Sequence, residues 1–93
     1  MWVRCQYKKE YKPAYRELVN LDRCFNVKLD ITGNVGRIFA YKENGEERLL
    51  GEYRDYAAAK VFEQIGLLMD QKHTYMMPDE QEANEKHRDK EAE

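Results

Sequence analysis

The chain reads as an α+β domain in which about five strands, forming one mostly antiparallel meander sheet, are packed by one C-terminal helix. Three observations predict this. From Leu18 to Thr32 the odd positions run Val19, Leu21, Arg23, Phe25, Val27, Leu29, Ile31 against mostly polar even ones, which is the alternation of a half-buried strand. Asn44-Gly45 is a strong hairpin signal, since both residues accept the positive φ of a two-residue type I′ turn. Between Asp55 and Asp70 the period changes to helical. Ala58, Val61, Phe62, Ile65, Leu68 and Met69 make one apolar stripe, and Lys60, Glu63, Gln64 and Gln71 take the opposite side.

Taken in order, Trp2 to Tyr7 alternates and reads as the first strand, with Val3 and Cys5 inward. Lys8 to Glu17 breaks the pattern with Pro13 and a run of charges, as a long loop or solvated arm on which Tyr11 and Tyr15 can fold back. Arg23 interrupts the apolar face of the next run and predicts a bend near Asp22-Arg23. Gly33 to Gly36 should reverse the chain into a strand over Arg37 to Lys42, and Asn44-Gly45 should fold that strand onto Glu47 to Tyr53. Asp55 reads as the N-cap of the helix, because its carboxylate can accept from the free N–H groups of the first turn. The organisation expected is one domain over residues 1–77 and a charged tail over 78–93, disordered or at most a transient helix supported by the Glu82 and Lys86 i, i+4 pair. That tail has no large apolar side chain to offset its ordering entropy, so its removal should leave the melting temperature nearly unchanged.

Ninety-three residues bury only about two thirds of their unfolded surface, so a partner subunit is a natural source of stability. No apolar run nears the roughly 20 residues of a membrane span, and no signal-peptide core follows Met1, so a soluble cytoplasmic protein with no membrane partner is expected. Cys5 and Cys24 lack C-x-x-C spacing and read as free thiols. The net charge of −2 divides into −4 over residues 78–93 and +2 over residues 1–77. A body charge this small disfavours nucleic acid as the partner.

Little here suggests catalysis. The chain has no serine, two threonines (Thr32, Thr74) and two widely separated histidines (His73, His87), which removes most nucleophile constellations and any paired-histidine metal motif. Glu46-Glu47 flanks a hairpin turn, where solvated charge explains it, and the glycines are spaced as turn residues. The expectation is a protein that is not an enzyme and uses no cofactor or metal. Two features suggest contacts instead. Arg4, Tyr7, Lys8, Lys9, Tyr11, Lys12, Tyr15 and Arg16 interleave cations with aromatic rings, a pattern that can neutralise phosphate while stacking on a base, and also one that a solvated loop with tyrosines over a sheet edge produces. Gly66 and Leu67 lie off the apolar stripe, where a helix packing on a second subunit would carry a close-approach glycine and an exposed leucine. A homo-oligomer is therefore expected.

The opening Trp2-Val3-Arg4-Cys5-Gln6, the Leu18-Val19-Asn20-Leu21 strand, and Leu50-Gly51-Glu52-Tyr53 running into an Ala-containing helix together resemble small uncharacterised proteins of phages and prophages of Gram-positive bacteria, over about residues 1–72. The Lys8 to Glu17 insertion and the segment after Pro78 depart from that pattern. The resemblance implies an accessory, counter-defence protein of the host cytoplasm that sequesters a nucleotide-derived, phosphate-bearing signalling molecule as an oligomer. The alternative is a protein–protein interaction factor, an inhibitor or adaptor, that occupies a host or phage protein through its acidic tail or a sheet edge and takes no small ligand.

Overall fold

Alternating segments become sheet and the apolar stripe becomes helix. The computed structural model describes residues 1–6, 17–69 and 74–92, and the side chains of all of these except 25 and 89–92. Strand β1 (Trp2–Arg4) is followed by β2 (Leu18–Asn20), a 3-10 turn (Leu21–Arg23), β3 (Cys24–Thr32), β4 (Val35–Lys42) and β5 (Glu47–Arg54). Helix α1 (Asp55–Leu68), β6 (Tyr75–Met76) and helix α2 (Glu80–Ala92) complete the order. The 3-10 turn is the bend that Arg23 predicts, and the Asn20 side chain caps it by accepting from the Asp22 N–H at 3.1 Å.

The hairpins depend on glycine at two points. Gly33 has φ +63° at the first central position of the β3–β4 turn, as a type II′ turn requires. In the β4–β5 turn only Gly45 is left-handed, at φ +84°, and its N–H donates to the Lys42 carbonyl at 2.9 Å. Asn44 keeps a negative φ and caps the loop by accepting from the Glu46 N–H at 2.9 Å, so the connection is longer than the two-residue turn that Asn-Gly suggests.

The single five-stranded sheet and single helix of the sequence reading are not what forms. Two three-stranded sheets are present: an antiparallel meander in the order β3-β4-β5, and a small sheet in the order β2-β1-β6 whose β1–β6 pair is parallel. Gln6 joins them. Its N–H donates to the Leu50 carbonyl at 2.8 Å, its Nε2 donates to the Glu52 carbonyl at 3.0 Å, and its Oε1 accepts from the Glu52 N–H at 2.8 Å. The side-chain amide thus supplies the donor and acceptor of a missing strand residue along the edge of β5. A bulge at Leu50, where Ile38 pairs with Gly51 and Phe39 with Leu49, turns both Leu50 and Gly51 inward at that edge.

Helix α1 covers one face of the meander. Ala57, Ala58, Val61 and Ile65 are buried against Ile38, Ala40 and Tyr53, while Leu68 and Met69, the last turn of the stripe, are 37% and 44% exposed. The approach is close at Gly36, where a Cβ would collide with that of Ala58. Arg54 occupies the N-cap position with no side-chain cap bond, so Asp55 is the first helical residue. Its Oδ1 still accepts from an early N–H, that of Tyr56 at 2.8 Å.

Residues 80–92, read from composition as a disordered or at most transiently helical tail, form α2. The segment is rich in Glu, Gln, Lys and Ala, which favour helix, and it docks with small and polar groups in place of large apolar ones. Ala83 and His87, one turn apart, are buried, the Tyr53 hydroxyl donates to the Pro78 carbonyl at 2.7 Å, and Asn84 Oδ1 accepts from the Arg54 N–H at 3.0 Å. Ending the chain at Pro78 should therefore cost about 2 kcal/mol, or roughly 10 °C in melting temperature by circular dichroism. An unchanged melting temperature would show that α2 contributes nothing to the body.

Candidate binding surface

The small sheet has two unlike faces. Val3 and Val19 pair and point into the core, while Trp2, Arg4, Leu18 and Met76 emerge on the other side. Arg4 stands in one cross-strand row between Leu18 and Met76, and Trp2 lies two residues along the same strand. Trp2, Leu18 and Met76 are 48%, 51% and 60% exposed, so this face is an aromatic and apolar surface with a cation at its centre. Among the described residues Arg4 enters no ion pair.

Beside this face a groove of about 310 Å³ runs between β2, the 3-10 turn and the end of β4, lined by Trp2, Leu18, Asn20, Arg23, Cys24 and Lys42 and closed by Glu17 and Val19. The Glu17 carboxylate, which lines the groove, accepts from Arg48 Nε at 3.0 Å, a contact that offsets part of its charge. Lys42 reaches Glu46 only at 3.7 Å, and Arg23 has no ion pair among the described residues. Indole, two cations and a polar amide thus converge on one concavity. Two other hollows carry less. One of about 430 Å³ is lined by Arg54 and Arg88 but equally by Asp55 and Glu85, and one of about 210 Å³ by Cys5 and Leu49 with Glu17, Glu47 and Arg48.

Of the residues singled out in the sequence, Arg4 is on the exposed face just described. Lys8, Lys9, Tyr11, Lys12, Tyr15 and Arg16, together with Tyr7, lie outside the described residues. Leu67 is 76% exposed on α1, and among the described residues a side chain placed on Gly66 would meet nothing within 4 Å, so no contact among them calls for glycine there. Trp2, Leu18, Arg23 and Lys42 escaped notice as a group. The signal available was period two, which puts Trp2 on the side of Arg4, and the charge of Arg23, which the sequence reading used only to place a bend.

Both cysteines are free thiols. Burial, and secondarily the Glu17 carboxylate, pushes Cys5 up to about 11 against the opposing pull of Arg48. Burial also raises Cys24, whose Sγ donates to the Asn20 carbonyl at 3.4 Å. Neither environment favours the thiolate that a nucleophile needs. Among the described residues no group of three or more His, Cys, Asp or Glu is placed to hold a metal ion, and no helix is long and apolar enough to cross a membrane. No protein-family model, no characterised protein and no solved structure matches this chain significantly.

Proposed function

We infer that the protein is a non-enzymatic accessory binding protein of the phage type, and that it captures a phosphate-bearing, nucleotide-derived small molecule as a homo-oligomer. The observation that supports this reading most is the groove beside Trp2, where a half-exposed indole offers a stacking surface next to Arg23 and Lys42 and on the same face as Arg4. Base stacking on an aromatic ring and phosphate neutralisation by nearby cations are the two forces such a ligand needs. Lys8, Lys9, Tyr11, Lys12, Tyr15 and Arg16 join the proposal through sequence alone, by their interleaving of cations with aromatic rings.

A second reading draws on the same face. Trp, Met, Leu and Arg exposed together on one face of the small sheet have a composition enriched in interface residues, which suits an inhibitor or adaptor that occupies a host protein and takes no small ligand. The two readings separate by mutation. For a nucleotide-like ligand, Trp2→Ala should cost about 1–3 kcal/mol of binding with the salt dependence unchanged. Arg23→Gln should weaken binding and flatten that dependence. Loss of a host-protein pulldown with Trp2→Ala, in the absence of any nucleotide binding by calorimetry, would transfer the face to the second reading.

A further inference from the structure

The meander has one long edge that nothing in the described residues covers. β5 is capped by Gln6 at Leu50 and Glu52, and the strands of the small sheet are only two or three residues long. β3, by contrast, spans nine residues and has β4 as its only neighbouring strand among the described residues. Long edges are usually blunted by proline, a bulge or inward charge, because their free N–H and C=O groups invite another strand. In β3 the register irregularity falls at its start, between Cys24 and Asn26, and the run from Asn26 to Thr32 is regular and free of proline.

That run is self-complementary. We propose that the β3 edges of two copies of this chain pair antiparallel about Leu29, giving a continuous six-stranded sheet across a two-fold axis. In this register Leu29 faces its own copy, Val27 faces Ile31, Lys28 faces Asp30 and Asn26 faces Thr32, each pair occurring twice except the first. Every apolar pair falls on the α1 side and every polar pair on the open side, because Val27, Leu29 and Ile31 oppose Ala40, Ile38 and Gly36 of the covered face. Centring the pairing on Lys28 or on Asp30 would set like charges against each other, and an odd shift would set Leu29 against Lys28, so the charge pattern selects one register. Ile31 is 49% exposed and Val27 and Leu29 are half-buried in the single chain, which is apolar surface that the second copy would cover. The Lys28 ammonium lies 5.2 Å from the centroid of the Tyr41 ring, on the open face where the partner's carboxylate would arrive.

The proposal is independent of the ligand reading and of the Gly66 and Leu67 surface, and charge reversal tests it without ligand. Sedimentation equilibrium of the full chain should show a dimer at tens of micromolar, the range of ordinary weak dimers. Lys28→Asp and Asp30→Lys should each weaken it about tenfold or more, since each places two like-charged pairs across the axis. The double variant Lys28→Asp/Asp30→Lys should recover most of the affinity. Unchanged circular dichroism and melting of each variant would confirm folding, and recovery in the double variant excludes general damage. A wild-type monomer, a dimer indifferent to both reversals, a double variant that fails to recover, or a dimer broken by Leu67→Glu but not by the reversals would each overturn the pairing.

Discussion

Gly36→Ala should destabilise the protein by about 2 kcal/mol and lower its melting temperature by roughly 10 °C, although alanine is ordinarily the better strand residue. The added methyl would collide with the Cβ of Ala58, with the Asp55 Cα at 3.6 Å and Ile31 Cγ1 at 3.7 Å on its flanks. None of these is the loose end of a flexible side chain, so α1 must lift, and lifting it loosens Val61 and Ile65 as well. Ala58→Gly alone should cost about 1 kcal/mol through helix propensity. In the Gly36→Ala background it removes the colliding atom, so the double variant should be more stable than the sum of the singles predicts by over about 1 kcal/mol in urea unfolding. A neutral or stabilising Gly36→Ala would place the helix farther from the sheet than described.

The other large effect is expected at Gln6. Gln6→Leu keeps the size of the side chain and its backbone bond to Leu50 but removes both contacts to Glu52, leaving a donor and an acceptor at the β5 edge without their partner. The cost should be about 2–6 kcal/mol, at about 1–3 kcal/mol for each of the two groups left unsatisfied. Gln6→Glu should be damaging in a pH-dependent way, because an ionised carboxylate cannot donate to the Glu52 carbonyl whereas the protonated acid can. Its folded pKa should be raised, so the stabilising form is present below the unfolded pKa of about 4.3 and lost as pH rises through the higher folded value. Stability of this variant relative to wild type should therefore improve in acid. Equal loss for Gln6→Leu and for an exposed control such as Gln81→Leu would deny Gln6 its bridging role.

Where side-chain pattern and local turn chemistry coincide, the structure was legible. β3, β4 and β5 follow from the alternation around Val27 to Ile31, from Gly33 and from Gly45, and α1 follows from the Ala58, Val61, Ile65 stripe. The small sheet was not, because Tyr75 and Met76 are too few to show a period and their parallel pairing with Val3 and Arg4 is a contact distant in sequence. Gln6 looks like any polar residue at a strand end, since nothing local shows that its amide will stand in for a backbone. α2 was missed because a composition test seeks large apolar groups, whereas this helix docks through Ala83, His87 and hydrogen bonds to Pro78 and Asn84. Of the candidate surface the sequence singled out Arg4 alone, because the neighbours that shape its face come from β2, the 3-10 turn, β4 and β6.

Trp2 is the only tryptophan, so its emission reports directly on the proposed groove. The decisive measurement is a titration of the full chain with mononucleotides, cyclic dinucleotides and cyclic ADP-ribose isomers, followed by Trp2 fluorescence and by calorimetry. Capture of a nucleotide-derived ligand predicts quenching of Trp2 with a matching heat signal and a Kd below about 0.1 mM, equivalent to roughly −5.5 kcal/mol, for at least one of them. No binding in that range, or binding that leaves Trp2 emission unchanged, would contradict it.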